Sequence, residues 1–217
     1  MLRAVIFDMD GVIVDSHPIH KKTWRTFLAL LGKEVSEQDL NFIMEGRKRE
    51  EILRHFLGEV SEEQMQIFGR QKEELFRRES AALQTIEGLR EFLQELDREE
   101  IRLAVASSGS SGRVNDILVS LDLRNYFRAI VTGDQVTHGK PDPAIFLLAS
   151  DRLGVSPAET LVFEDSVSGV KAAKAAGMTC FGVASNGIIP TLLEAGADHI
   201  IPDFSGVSID VMRDLFE

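Results

Sequence analysis

A four-residue apolar run, Ala4-Val5-Ile6-Phe7, breaks off into Asp8-Met9-Asp10-Gly11, and no second strand-like run starts before Ile101. An uninterrupted apolar run fits a strand covered on both faces, as in the middle of a parallel sheet. Such a strand needs neighbours, and here they come from the far side of a long intervening stretch. That stretch must leave the sheet as an insertion and return to it.

The stretch reads as helical. Candidate helices are 18–31, 37–45, 48–57 and 62–79, separated by Gly32, Gly46 and Gly58. Ser36 and Ser61 stand at N-cap positions with Asp39 and Gln64 three residues on, and Ser61-Glu62-Glu63-Gln64 fits a capping box. After Gly88 the pattern alternates. Helices at 88–98, 111–121, 143–153 and 167–176 interleave with strands at 101–106, 128–131, 160–164 and 178–183, and a last helix and short strand fill 189–201. Alternation of this kind implies βαβ units and a parallel sheet. The expected organisation is an α/β core from 1–14 and 85–217, with an all-helical cap at 15–84. Residues 13–16 and 81–87, the two chain crossings, are the expected hinges.

Composition narrows the partners. The 217 residues hold 24 Lys+Arg and 35 Asp+Glu, a net charge of −11, which opposes nonspecific binding to nucleic acid or an anionic membrane. A small anionic substrate remains open, because a few local cations suffice to bind one. The lone Cys180 cannot form an intrachain disulfide, so a reducing, cytoplasmic setting is expected. The apolar run that ends at Asp8 is only four residues long, against the roughly 7–15 of a secretory signal. No run approaches the about 18 apolar residues of a membrane span. A monomer is the default expectation.

Chemistry gathers at the carboxyl ends of the strands, the edge where open α/β sheets bind ligands. Asp8 and Asp10, two apart, point to the same side, and Gly11 permits a sharp turn after them. Two adjacent carboxylates repel unless a cation intervenes or one is protonated. Strand 101–106 runs into Ser107-Ser108-Gly109-Ser110, a turn able to cradle an anion through backbone N–H groups. Lys140 stands in the rigid turn Gly139-Lys140-Pro141-Asp142-Pro143, and strand 160–164 ends in Glu164-Asp165. Singly, each has an ordinary explanation: an acidic turn, an N-cap, a surface lysine, acids at a helix start. Together they place a cation site beside an anion site, and hard oxygen donors next to a phosphate-sized pocket suit Mg²⁺.

In these motifs, taken in order, the sequence resembles the haloacid dehalogenase superfamily, in its branch with a helical cap inserted after the first motif. The resemblance runs through Asp8-Met9-Asp10-Gly11-Val12, Ser107, Lys140 and Glu164-Asp165 and spans nearly the whole chain. It implies a Rossmann-like core with strand order 5-4-1-2-3 and a cap that closes over the site. It implies Asp8 as nucleophile and Asp10 as general acid/base. Mg²⁺ would be held by Asp8, the Asp10 carbonyl and Asp165, with Glu164 binding or flanking it. Ser107, Lys140 and the backbone near Met9 and Ser108 would hold phosphate oxygens. Retention of Asp10 sets carbon–halogen cleavage aside, since only an oxygen leaving group needs that acid.

The cap is similar to that of β-phosphoglucomutase and its phosphatase relatives. Asp15-Ser16-His17-Pro18-Ile19-His20 and Trp24 match the segment after the first motif, with His20 and Trp24 on one helical face. The resemblance implies substrate contacts from His20, Trp24, Gly46, Arg49, Lys72 and Ser108, with Arg49 on a distal phosphate. Arg47 and Lys48 read as a solvated basic turn. Ser110 and Ser111 replace the Lys-Asn pair of the mutases, Glu45-Gly46-Arg47-Lys48-Arg49 departs from their Lys-Gly-x-Ser-Arg, and Glu87 replaces a Pro. The expected activity is hydrolysis of a small phosphate ester, with the mutase as alternative. A receiver-type signalling domain also uses Asp, Ser/Thr and Lys around Mg²⁺, but it lacks a cap and takes phosphate on its third strand.

Overall fold

The computed structural model describes residues 1–80, 83–185 and 187–216. Strand β1 (Ala4–Phe7) is buried along its whole length. Its side chains divide with the two-residue period of a strand: Val5 and Phe7 enter one core cluster, Ala4 and Ile6 the other. Phe7 sits among Phe92, Phe127, Phe163 and Phe204, with ring centres 5.2 to 6.3 Å away. This aromatic cluster anchors the strand end that carries Asp8.

The chain then leaves the sheet. Helices α1 (His17–Leu30), α2 (Glu37–Ile43), α3 (Arg49–Leu57) and α4 (Glu62–Glu79) surround a third core built on Trp24, Phe27, Leu28, Leu40 and Leu53. Both serine caps form capping boxes, Ser36 with Asp39 and Ser61 with Gln64. Each such cap contributes about 1 kcal/mol. Outgoing and returning segments run side by side: Val14 bridges to Thr85, and Ile86 N–H donates to the Ile13 carbonyl at 3.0 Å. Of the expected hinge 81–87, Ala81 and Ala82 lie outside the described residues.

Beyond the cap the elements follow as α5 (Leu89–Arg98), β2 (Arg102–Ser107), α6 (Ser111–Ser120), β3 (Ala129–Thr132), α7 (Ala144–Leu153), β4 (Thr160–Glu164), α8 (Val167–Ala175), β5 (Thr179–Val183), α9 (Ile189–Glu194), β6 (His199–Ile201) and α10 (Ile209–Arg213). The sheet order is β3-β2-β1-β4-β5-β6, with every pair parallel. Helices α5, α6 and α10 contribute to the Phe7 cluster, whereas α7, α8 and α9 contribute to the Ile6 cluster. The fold is the expected α/β, Rossmann-like class, with one correction. The order 5-4-1-2-3 holds for the first five strands, but β6 pairs with β5 and makes a sixth at that edge. Its Ile201 is buried, so the edge of β5 is covered rather than left open. Helix α10 falls in a segment where no element is expected from the sequence pattern. Among the described residues no helix is long and apolar enough to cross a membrane.

Candidate active site

Asp8 extends from the carboxyl end of β1 and is buried. Its Oδ1 accepts from Lys140 Nζ at 2.5 Å, and its Oδ2 from the Asp10 N–H at 2.9 Å. Gly11 follows with φ of +81°, and a Cβ there would run into the Asp165 carboxylate. Positive φ and close approach both require glycine at this turn.

Lys140 is also buried. Its Nζ donates to Asp8, to Glu164 and, at 3.3 Å, to the Ala106 carbonyl. Burial works against its charge, but Asp8 and Glu164 outweigh burial and hold the ammonium protonated. The second oxygen of Glu164 accepts from the Ser166 N–H at 2.8 Å and its hydroxyl at 2.9 Å. Gly169 packs against this carboxylate where any Cβ would collide. Glu164 is thus fully engaged by protein donors and flanks Lys140. Burial pushes Asp8 up to about 8; Lys140 opposes this, and Glu164, Asp165 and Asp10 reinforce it. Asp165 turns to His17, whose Nε2 lies 2.8 Å from its Oδ2. Burial alone would lower His17, but the Asp165 hydrogen bond and charge lift it to about 9, so the ring is cationic at neutral pH.

Asp10 is held from three directions. Its Oδ1 accepts from the Ser16 hydroxyl at 2.6 Å, lies 3.1 Å from His20 Nε2, and accepts from Arg113 Nη1 at 2.8 Å. Its Oδ2 accepts from Arg113 Nη2 at 2.7 Å. Burial would raise Asp10, but Arg113 and then His20 outweigh it and hold the carboxyl well below the usual range. His20 Nδ1 lies 3.0 Å from Lys72 Nζ. Burial, then the nearby Lys72, push His20 down to about 3, so the ring is neutral. With Lys72 donating to Nδ1, the His20 proton sits on Nε2 and points to Asp10.

Lys72, buried on α4 with Nζ over the Trp24 and Phe76 rings, is pushed down to about 7 by burial and then by Arg113. Its amine binds fewer protons folded than unfolded between pH 7 and 10.5. Stability therefore rises with pH across that window, because the unfolded state holds the extra proton. Lys72→Met is expected to change the thermal midpoint relative to the parent more favourably at pH 6 than at pH 9. Thermal scans at both values read this, and a difference that moved the other way would contradict the buried-ammonium account.

Asp8, Asp10, Glu164 and Asp165 line, with His20, Trp24, Gly46, Arg49, Lys72 and Ser108, one chamber of about 110 Å³ between core and cap. Ser107 and Lys140 stand behind its wall; the Ser107 hydroxyl accepts from the Gly109 N–H at 3.1 Å. Ser108 donates to the Gly46 carbonyl at 2.7 Å, so this hydroxyl ties the core to the cap. Gly46 has φ of +75°, and a Cβ there would sit 2.7 Å from Ser166 Oγ. Lys48, expected in a solvated turn, instead donates to the Val136 carbonyl of the core at 2.8 Å. Arg49 reaches Glu50 at 3.1 Å and Glu73 at 3.5 Å, and its buried Nε has no partner among the described residues.

Sequence reasoning missed Arg113, Ser16, His17 and Glu73. Arg113 had a signal: it stands in the first turn of α6, where a cation opposes the helix dipole and so calls for an acidic partner. For a divalent cation the chamber offers two carboxylates, Asp8 and Asp165. Among the described residues no three His, Cys, Asp or Glu side chains form a ligand cluster. The oxygen donors fit a hard cation, and a cation beside Asp8 would oppose the burial that raises it and the neighbouring acids that reinforce the rise.

Residues 5–183 match the family described as haloacid dehalogenase-like hydrolase. The chain is 38% identical over 214 residues to a phosphorylated carbohydrates phosphatase of Thermotoga maritima, covering 92% of this chain and 94% of that one. It is 32% identical over 234 residues to a β-phosphoglucomutase of Bacillus subtilis, covering 100% and 96%. A solved haloacid dehalogenase-type hydrolase of family IA, variant 3, from Entamoeba histolytica matches with a TM-score of 0.87 at 30% identity, covering 99% of each chain. With sequence and fold in agreement over nearly its full length, the chain belongs to the haloacid dehalogenase-like hydrolase family.

Proposed function

We propose that the chain is a Mg²⁺-dependent phosphatase acting on a small phosphorylated metabolite, such as a sugar phosphate, through an aspartyl-phosphate on Asp8. The observation that carries this reading is the buried Asp8–Lys140 pair, with Asp8 lining the chamber between core and cap and Asp10 two residues on. Asp8 attacks phosphorus as the bond to the ester oxygen breaks, and Asp10, which takes up a proton from solvent when substrate binds, gives that proton to the departing oxygen. Water, deprotonated by Asp10, then releases phosphate from Asp8. Lys140 neutralises charge beside the nucleophile, and the backbone of the turn after Ser107 would meet the phosphate oxygens, with Ser107 bracing that turn through Gly109. Asp8, Asp165 and the Asp10 carbonyl would hold Mg²⁺, which when bound offsets repulsion between carboxylate and phosphate. The chamber is well below the ~300–1,000 Å³ usual for ligand sites. Substrate entry therefore requires the cap to open at 13–16 and 83–87.

The phosphatase reading is favoured because the positions that would contact a mutase substrate are already occupied within the protein. Ser110 donates to Glu73 at 3.2 Å and Ser111 to Asp134 at 2.9 Å. Arg49, with its unpartnered Nε, and the His20–Lys72 pair favour the mutase as second reading. Phosphorus NMR of the protein with Mg²⁺, β-glucose 1-phosphate and a trace of glucose 1,6-bisphosphate separates the two. Inorganic phosphate is the expected product; glucose 6-phosphate without free phosphate would replace this reading by the mutase.

A further inference from the structure

Arg113 is a strongly placed charge at the chamber that the reaction above leaves without a task. Its side chain is 7% exposed, and both terminal nitrogens grip both oxygens of Asp10. A carboxylate chelated in this way, and bonded also by Ser16, has both oxygens turned to the guanidinium rather than to an ester. The grip depends on Gly109, where a Cβ would run into the guanidinium. The guanidinium also lies 5.2 Å from the ring centre of Phe76, on the cap helix α4, so it spans the joint between core and cap.

Its position has a second consequence. Next to the chamber lies a groove of about 500 Å³ between α4 and α6. Arg49, Glu73, Ser110 and Arg113 line both spaces and form the partition between them. Within it, Glu73 accepts from Ser110 and pairs with Arg49. A substrate whose phosphate fills the chamber must send its remaining atoms across this partition. There it meets two arginines, one from the cap and one from the core.

We propose that Arg113 selects substrates bearing a second anionic group, a carboxylate or a further phosphate. In the free protein it is parked on Asp10; a second anion at the partition draws it away and frees Asp10 to face the leaving oxygen. A neutral substrate body leaves the clamp in place. This rests on the phosphatase reading and adds to it a substrate class and the residue that chooses it.

The test compares two linear esters that differ only in the terminal group, 6-phosphogluconate and sorbitol 6-phosphate, by phosphate release with Mg²⁺. The parent is expected to favour the carboxylate by at least tenfold in kcat/KM. In Arg113→Met that ratio falls to near one: KM for 6-phosphogluconate rises, and kcat for sorbitol 6-phosphate rises because Asp10 is no longer held. Arg113→Lys keeps the charge without the fork and recovers part of the preference. Gly109→Ala, which leaves the arginine but blocks its seat, should also raise kcat on the neutral ester. Equal losses on both esters in Arg113→Met, or an unchanged ratio, would overturn the assignment. So would a parent that hydrolyses p-nitrophenyl phosphate but does not distinguish the esters or accepts neither. A folded parent inert toward all three compounds would instead count against the phosphatase reading itself.

Discussion

Asp8→Asn is expected to lower phosphate release by at least about 10⁴-fold, the scale on which losing a covalent nucleophile is felt. The amide keeps the shape of the carboxylate but cannot attack phosphorus. The fold should survive. Lys140 retains Glu164 and the Ala106 carbonyl, and the amide oxygen still accepts from Lys140, so only the bond from the Asp10 N–H is lost. Stability should improve at high pH. Burial raises Asp8 to about 8, so the folded state of the parent holds a proton there that the unfolded chain releases near 3.8. Parent stability from this group is therefore lost as pH rises through that window, and an amide has nothing to lose. Urea titrations without Mg²⁺ at pH 5 and pH 8.5 should show the variant gaining on the parent as pH rises. Phosphate release from the folded variant at the parent's rate would remove Asp8 from the role of nucleophile.

The sequence made the sheet legible because each strand is a short apolar run closed by chemistry or by glycine. The run Ala4-Val5-Ile6-Phe7 and the carboxylates after it placed the centre of the fold and the floor of the site together. β6 escaped the expected order because three residues at an edge carry little pattern, and its pairing depends on what β5 leaves uncovered. α10 is five residues long and is fixed by docking on α5, where the Ile209 N–H reaches Glu95 at 3.3 Å. The site divides in the same way. Asp8, Lys140 and Glu164 each sit at a strand end or rigid turn, and their convergence follows from topology. Arg113 meets Asp10 across 103 residues, through a gap that only a glycine leaves. Local spacing cannot encode such a contact; it offers only the unfavourable sign of a cation in the first turn of a helix. Glu164 shows the reverse limit: its place at the site was legible, but its attachment to Lys140 and Ser166 emerges only when three segments pack.

Lys140→Met is expected to destabilise the metal-free protein by about 3–5 kcal/mol near neutral pH, the usual consequence of removing one partner from a buried ion pair. Total stabilities of about 5–15 kcal/mol make that a large fraction. Methionine keeps the length of the stem and its contact with Phe146, so packing is nearly preserved. What goes is the charge that three acceptors share, leaving Asp8 and Glu164 face to face at 6% and 1% exposure. With the cation gone Asp8 is raised above the parent's value of about 8, so only the variant keeps its folded-state proton at higher pH, and the deficit should grow as pH rises from about 7 to about 9. The double variant Lys140→Met with Glu164→Gln removes one of the two stranded charges and should recover part of the lost stability. It should not recover turnover, because phosphate transfer needs the ammonium beside Asp8 and not merely a neutral floor. Urea unfolding and phosphate release on the same three proteins separate these two roles. A single variant that unfolds at the parent's urea midpoint would show that the pair adds no net stability, and a double variant that regains activity would show that Lys140 serves only to balance Glu164.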